Sequence, residues 1–309
     1  MSQQKGRAVT RILRANSIYA FSRDNRPAIR ARPPAELIFE TQDCFGGQVT
    51  PSSPALGTVD WGHINPATGP VYVEGAKPGD VLAVRVQSIE VAGLGLMAAM
   101  RGEGVLAGQV RATEVKFVPV ARGRAKFNDR VELPVKPMIG VIGVAPAGEP
   151  VPCGTPGSHG GNMDTRIIGP GATVLFPVAV DGALLAMGDV HAVMGDGEVM
   201  GTGVEVAAEI SVRVGLRRDL ADLELRNPLI VTDSVLAAVA SAKTLDAAVK
   251  AATRGLAGIL MKRAKLSLND AGMLCSAAGT VAVSQVVDPL KTARFEFPLN
   301  VLRDLGVVI

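Results

Sequence analysis

The sequence predicts a mainly β (α+β) fold, with a β-rich body over residues 1–216 and a smaller α/β portion over 217–309. Three observations predict it. Hydrophobic residues make up 48% and charged residues 20% of the 309, enough for a sizeable core and too apolar for disorder. Aromatic residues are only 4% while Gly (35) and Pro (20) are frequent, the usage of many short strands joined by tight turns. Apolar residues alternate with period two up to about residue 216, after which Ala- and Leu-rich stretches begin.

The elements follow in order. "AELIFETQDCF" (35–45) sets Leu37, Phe39 and Thr41 against Ile38 and Glu40, a strand that runs into Asp43 and Gly46-Gly47. "GPVYVEGAKPGDVLAVRVQSIEV" (69–91) reads as two strands around the turn Lys77-Pro78-Gly79-Asp80. Leu82, Val84 and Val86 take a buried face there, and Val81, Ala83, Arg85 and Gln87 a mixed one. Residues 93–111 are Gly-rich and read as irregular. A strand at 113–120 precedes "MIGVIGVAPAGEPVPCGTPGSHGGNMDTR" (138–166), an apolar strand followed by a long structured loop saturated with Gly and Pro. Residues 182–216 read as a hairpin-like unit, with Val204, Val206, Ala208, Ile210, Val212 and Val214 on one face and Glu205, Glu209, Ser211 and Arg213 on the other. Thr244–Lys265, acidic at its start and basic at its end, is a helix. A second short helix is capped near Ser267, and 280–288 is a further strand.

Charge and cysteine usage narrow the function classes. A net charge of +3 is too small to argue for nucleic acid. Arg7, Arg11, Arg14, Arg23, Arg26, Arg30 and Arg32 face only Asp24 in the first 32 residues, which reads as a solvated basic strand or arm, with a transit peptide as the competing reading. No stretch approaches the ~20 apolar residues of a membrane span, and the start lacks a signal-peptide pattern. Cys44, Cys153 and Cys275 are odd in number and form no CxxC pair, which argues against a disulfide framework and a thiolate zinc cluster. A cytoplasmic soluble protein is the expected class.

Chemistry concentrates around two of the three histidines. In "GDVHAVMGDGE" (188–198), strand alternation puts Asp189 and His191 on one face and Met194 on the other, while Gly195-Asp196-Gly197 turns the chain toward Glu198. Asp196 is expected to make that turn. In "SHGGNMD" (158–164), Gly160 and Gly161 allow close backbone approach beside His159, and Asn162 and Asp164 add oxygen donors. Two histidines with several carboxylates suit zinc and other first-row metals, and the carboxylates alone suit calcium. The spacing matches no standard zinc signature. Asp43 ends an apolar strand and is placed equally well for a turn or a cleft, whereas His63 in "DWGHINP" reads as a turn residue. There is no GxSxG elbow, no GxxxxGK[ST] loop and no GxGxxG after a strand.

Several blocks, in order from about Ser17 to the C-terminus, carry a resemblance: "FETQDCFGGQ", "NPATGPVYVEGAKPGDVL", "MIGVIGVAP", "HGGNMDTR", "GALLAMGDVHAVMGDGEV" and "DAGMLCSAAGTVAVSQVVDP". Together they resemble the acetamidase/formamidase family. The resemblance implies a jelly-roll-like β-sandwich body with a small β-barrel part and a C-terminal α/β part. It implies hydrolysis of short aliphatic amides to carboxylate and ammonia, a divalent metal (zinc first, calcium second) and a homodimer or higher oligomer. Carried over by matching motif, the site draws on Asp43, His159, Asp164, Asp189, His191 and Glu198. Within that set Asp43, His159, Asp189 and His191 are assigned to the metal and Glu198 to proton transfer. Asp164 is expected to orient a ligand, and the backbone of Gly160, Gly161 and Asn162 to receive the oxyanion. One departure is Met194, where the family pattern calls for Gln. Two alternatives stay open: hydrolysis of another C–N bond, such as a larger amide or a lactam, and a non-catalytic β-sandwich module with a structural calcium site.

Overall fold

The computed structural model describes residues 9–309; Arg7 of the basic stretch lies outside them. Two large sheets face each other. The first has nine strands in the order Thr10–Ile12, Ala35–Thr41, Ala208–Leu216, Val81–Val91, Thr173–Pro177, Leu229–Val231, Val235–Ala242, Lys291–Pro298, Thr280–Gln285. The second, of eleven strands, is centred on Leu185–His191, which pairs with Met138–Gly143, Glu205–Val206 and Ala67–Val73. Both strand orders are open.

Alternation explains why the sheets stack. Leu37, Phe39, Val84, Val86, Ile210 and Val212 of the first sheet share one buried cluster with Val71, Ile142, Leu185, Met187 and Val206 of the second. This is the core of a β-sandwich, since each sheet turns one apolar face inward. Arg11 of the basic stretch lies on the first sheet, paired to Glu40 and Glu209 at 2.9 and 2.6 Å.

Two pairs of expected neighbours are split between the sheets. Ala67–Val73 and Val81–Val91 flank the expected turn, where Asp80 N–H donates to the Lys77 carbonyl, yet they belong to opposite sheets. The 182–216 stretch is likewise no simple hairpin: Glu205–Val206 pairs with Leu185–His191, and the chain crosses at Ala207 into the other sheet. The Gly-rich stretch expected to be irregular contains the strand Leu94–Ala99.

The C-terminal region extends the nine-stranded sheet and covers its end with helices. Helix α1, Leu245–Arg263, is capped by Thr244, whose hydroxyl accepts from Ala247 N–H. It buries Ala248, Ala252, Leu256, Ile259 and Leu260, one stripe at helical spacing, in a second core with Leu236, Phe295 and Phe297. Helix α2, Leu268–Ala278, is capped by Ser267 as expected. Among the described residues no helix is long and apolar enough to cross a membrane.

Candidate active site

The site forms where the second sheet meets the C-terminal strand Thr280–Gln285. His191, at the end of the Leu185–His191 strand, is 1% exposed and stands among four carboxylates. Its Nε2 lies 3.1 Å from Glu205 Oε2, 3.6 Å from Asp189 Oδ2, 3.8 Å from Asp164 Oδ1 and 3.9 Å from Glu198 Oε1. Burial opposes charge on the imidazole, but Glu205 and Asp189 outweigh it and hold His191 well above its usual range.

Backbone geometry makes the convergence possible. Asp164, Asp189 and Glu198 are three of the nine non-glycine residues with left-handed backbone among those described. Such positions cost on the order of 1 kcal/mol each for L residues and persist only where the surroundings impose them. Asp189 takes this conformation inside the continuous strand Leu185–His191, and its carboxylate reaches His191. Room comes from Gly140 on the neighbouring strand: a Cβ there would stand 2.5 Å from Asp164 Oδ1 and 2.6 Å from Asp189 Oδ2. Gly161, at φ +78°, likewise leaves space that a side chain would take from the Thr155 carbonyl and from His159.

The polar groups are left short of partners. Both Asp164 oxygens, Asp189 Oδ1 and Glu205 Oε2 are buried without a hydrogen bond. The Glu205–His191 approach is close but not aligned as one, and Glu205 Oε1 accepts from Gly203 N–H at 2.7 Å. Burial, then repulsion among the carboxylates, raises Asp164, Glu198 and Glu205 above the usual carboxylate range. Asp288 is pushed the same way, and its Oδ2 accepts from Asn162 Nδ2 at 3.0 Å. Two sets of donor atoms converge within 4.8 Å: Asp164, His191 and Glu198, and Cys44, Asp189 and Glu205. Buried carboxylates without partners are costly unless a cation joins them, so the donor set fits a divalent metal. An imidazole among oxygens in the one set, and a thiol among oxygens in the other, each suit zinc, whereas calcium prefers oxygen alone.

The other expected residues are placed differently. His159 is buried edge-on against Phe21, ring centroids 5.1 Å apart, with Nε2 unpartnered, and burial pushes it down to about 4. It belongs to neither converging donor set. The Asp43 Oδ1 accepts from Phe45 and Gly47 N–H at 2.9 and 3.1 Å, making its own turn. The Gly160 N–H donates to the Gly157 carbonyl, and Gly160–Asn162 pairs with Met138–Gly143. His63 is an exposed turn residue 2.6 Å from Asp60.

Two expectations are corrected. Asp196 does more than turn the chain: its two oxygens accept from Arg294 Nη1 and Nη2, each at 2.8 Å, and Arg166 joins at 2.8 Å. That fork, with Gly197 N–H donating to the Ser284 carbonyl, ties the Glu198 loop to the C-terminal strand. Met194 does not point away from the site, because its Sδ lies 3.2 Å from His191 Nδ1. The β alternation stops at His191 and no longer governs the chain at 194.

Glu205, Asp288, Cys44 and Gly140 are the residues sequence reasoning missed. The cluster opens into a cleft of about 1020 Å³ lined by residues of 44–65, 100–115 and 152–162 as well as by Asp189, His191, Glu198 and Glu205.

The Acetamidase/Formamidase family model matches residues 20–152 and 150–242. A recombinant predicted acetamidase/formamidase from the thermophile Thermoanaerobacter tengcongensis is 48% identical, with a TM-score of 0.95 over 97% of this chain and 99% of that one. An acetamidase from Bacillus halodurans is 45% identical, with a TM-score of 0.93 over 96% and 100%. A formamidase from Methylophilus methylotrophus is 26% identical over 261 residues, 64% of this chain, and the match spans 63% of that relative's length. With His191 and its four carboxylates inside the matched span and a fold shared along nearly the whole chain, the protein belongs to the acetamidase/formamidase family.

Proposed function

We propose that the chain hydrolyses short aliphatic amides of the acetamide and formamide type to carboxylate and ammonia, using a divalent metal held at the His191 cluster. The observation that carries this reading is the convergence of Asp164, Asp189, Glu198 and Glu205 on His191 Nε2 at the floor of a cleft. Family membership supports the choice of an amide C–N bond.

An unactivated amide has a poorly electrophilic carbonyl and a poor leaving group. When bound, the metal polarises the carbonyl and lowers the pKa of water toward neutral. His191, Asp189 and Glu205 are the residues we assign to holding it, with Asp164 closing the set; zinc fits better than calcium. Glu198 accepts the water proton and returns it to the departing nitrogen, a transfer that suits a carboxylate that burial raises well above its usual range. Asn162, with Nδ2 committed to Asp288 and Oδ1 free, accepts from the substrate amide N–H and orients it.

Ammonia release from formamide and acetamide, with and without chelator, tests the reading together with Glu198→Gln. Turnover is expected to be lost in the chelated enzyme and in the variant, with metal content retained in the variant. Full activity after chelation would sink the metal, and loss of metal from E198Q would make Glu198 a ligand instead.

A further inference from the structure

The cleft is far larger than the amides just named require. Formamide and acetamide would occupy only its floor, whereas about 1020 Å³ lies at the top of the range of roughly 300–1,000 Å³ that holds drug-sized ligands. The apolar side chains of Phe45, Leu56, Trp61, Ile64, Met100 and Val115 line part of the cleft, with Arg101, Glu103 and Thr113 beside them. Phe45 and Leu56 are buried in a cluster against which Ile64, Met100 and Val115 pack. Trp61 stands at the mouth, 51% exposed and edge-on to Phe45 with centroids 6.3 Å apart. An exposed indole joined to a buried apolar wall, above a polar floor, is the arrangement of a site that grips a substrate by its apolar end.

We propose that this wall is an acyl-group subsite, and that the preferred substrates are primary amides whose acyl substituent is apolar and of branched-alkyl or aryl size. The inference rests on the amidase reading of the same site. The reaction is R–CO–NH₂ + H₂O giving R–COO⁻ and NH₄⁺: the C–N bond breaks, a C–O bond forms from water, and the water protons pass to the nitrogen. With the carbonyl at the His191 floor, R extends along Phe45 and Leu56 toward Trp61. Binding energy from R can then lower the barrier at the carbonyl, so short amides are the weak members of the series.

The test is kcat/KM along acetamide, propanamide, butanamide, 3-methylbutanamide and phenylacetamide, read by ammonia release. Each buried methylene is worth about fourfold, so kcat/KM should climb along the series, and Trp61→Ala should flatten the climb. Trp61 is the chain's single tryptophan, so its emission reports occupancy without turnover. Saturable change with phenylacetamide at a Kd at least about tenfold below that of acetamide is expected. A kcat/KM that falls steadily beyond acetamide, or emission that phenylacetamide leaves unmoved, overturns the subsite while the amidase reading stands. If no amide releases ammonia, the amidase reading fails with it, and the emission titration still decides whether apolar amides enter the cleft.

Discussion

The two histidine segments look alike in sequence and end in opposite environments. "SHGGNMD" and "GDVHAVMGDGE" each set one histidine among glycines and carboxylates. His191 finds four carboxylates within 3.9 Å of Nε2, whereas His159 lies against Phe21 with its Nε2 unpartnered. Burial therefore pushes both rings down, but the net shifts are opposite: His191 is raised because its anionic neighbours outweigh burial, and His159 is lowered to about 4 because nothing offsets desolvation. Local composition thus identifies histidines near a site; whether one is charged is decided by what the fold brings from elsewhere.

The largest expected effect breaks the comparison at its charged end. His191→Gln should cost on the order of 10³-fold or more in kcat/KM, with loss of bound metal read by elemental analysis. His159→Gln should cost about tenfold or less and keep the metal. Equal losses of activity and metal in the two variants would mean that both histidines serve the centre, and that the separation between them closes in the loaded enzyme.

Glu205 shows why half of the cluster was hidden. Alternation along 204–214 places it with Glu209, Ser211 and Arg213, and the apolar positions from Val204 to Val214 are all buried as that pattern predicts. The chain, however, leaves one sheet for the other at Ala207, so Glu205 is opposite His191 and 1% exposed while Arg213 reaches solvent. A period-two pattern carries no mark of such a crossing when the apolar face stays inward on both sides. Asp288 was illegible for a different reason, since it follows the last residue of a strand by three positions and joins Asn162 only through the tertiary fold. Gly140 did leave a signal: a glycine inside the apolar run "MIGVIGV" marks a close approach. The helix from Thr244 was fully legible, because its cap, charges and apolar stripe are local.

An intermediate effect concerns the tie between the Glu198 loop and the C-terminal strand. Arg294 is 2% exposed and donates to the carboxylates of Asp196 and Glu296. Burial alone would raise Asp196, but Arg294 and Arg166 outweigh it and hold it below its usual range. Asp196→Asn leaves the guanidinium short of charge and should cost about 2 kcal/mol, measured by denaturant unfolding. Because the folded-state pKa is depressed, that stability is present above the unfolded value and is lost as pH falls toward the folded one. The gap between parent and variant should therefore be full at pH 6 and narrow below about pH 4. A gap that is constant with pH would assign the loss to packing.

The smallest effect lies at Met194, which acts on His191 through the far side of its ring. With Nε2 committed to the metal, Nδ1 would carry the ring's remaining proton, and the Met194 sulfur at 3.2 Å is a weak acceptor for it. A carbonyl oxygen accepts more strongly and fixes the ring more firmly, which raises its basicity as a ligand. Met194→Gln should therefore tighten metal binding by several-fold, measured as competition with a chelator, with a smaller change in kcat. Met194→Leu, which removes the acceptor and keeps the bulk, should weaken it. Identical metal affinity in all three proteins would make the contact one of packing alone, and would leave the orientation of His191 to the carboxylates on its other side.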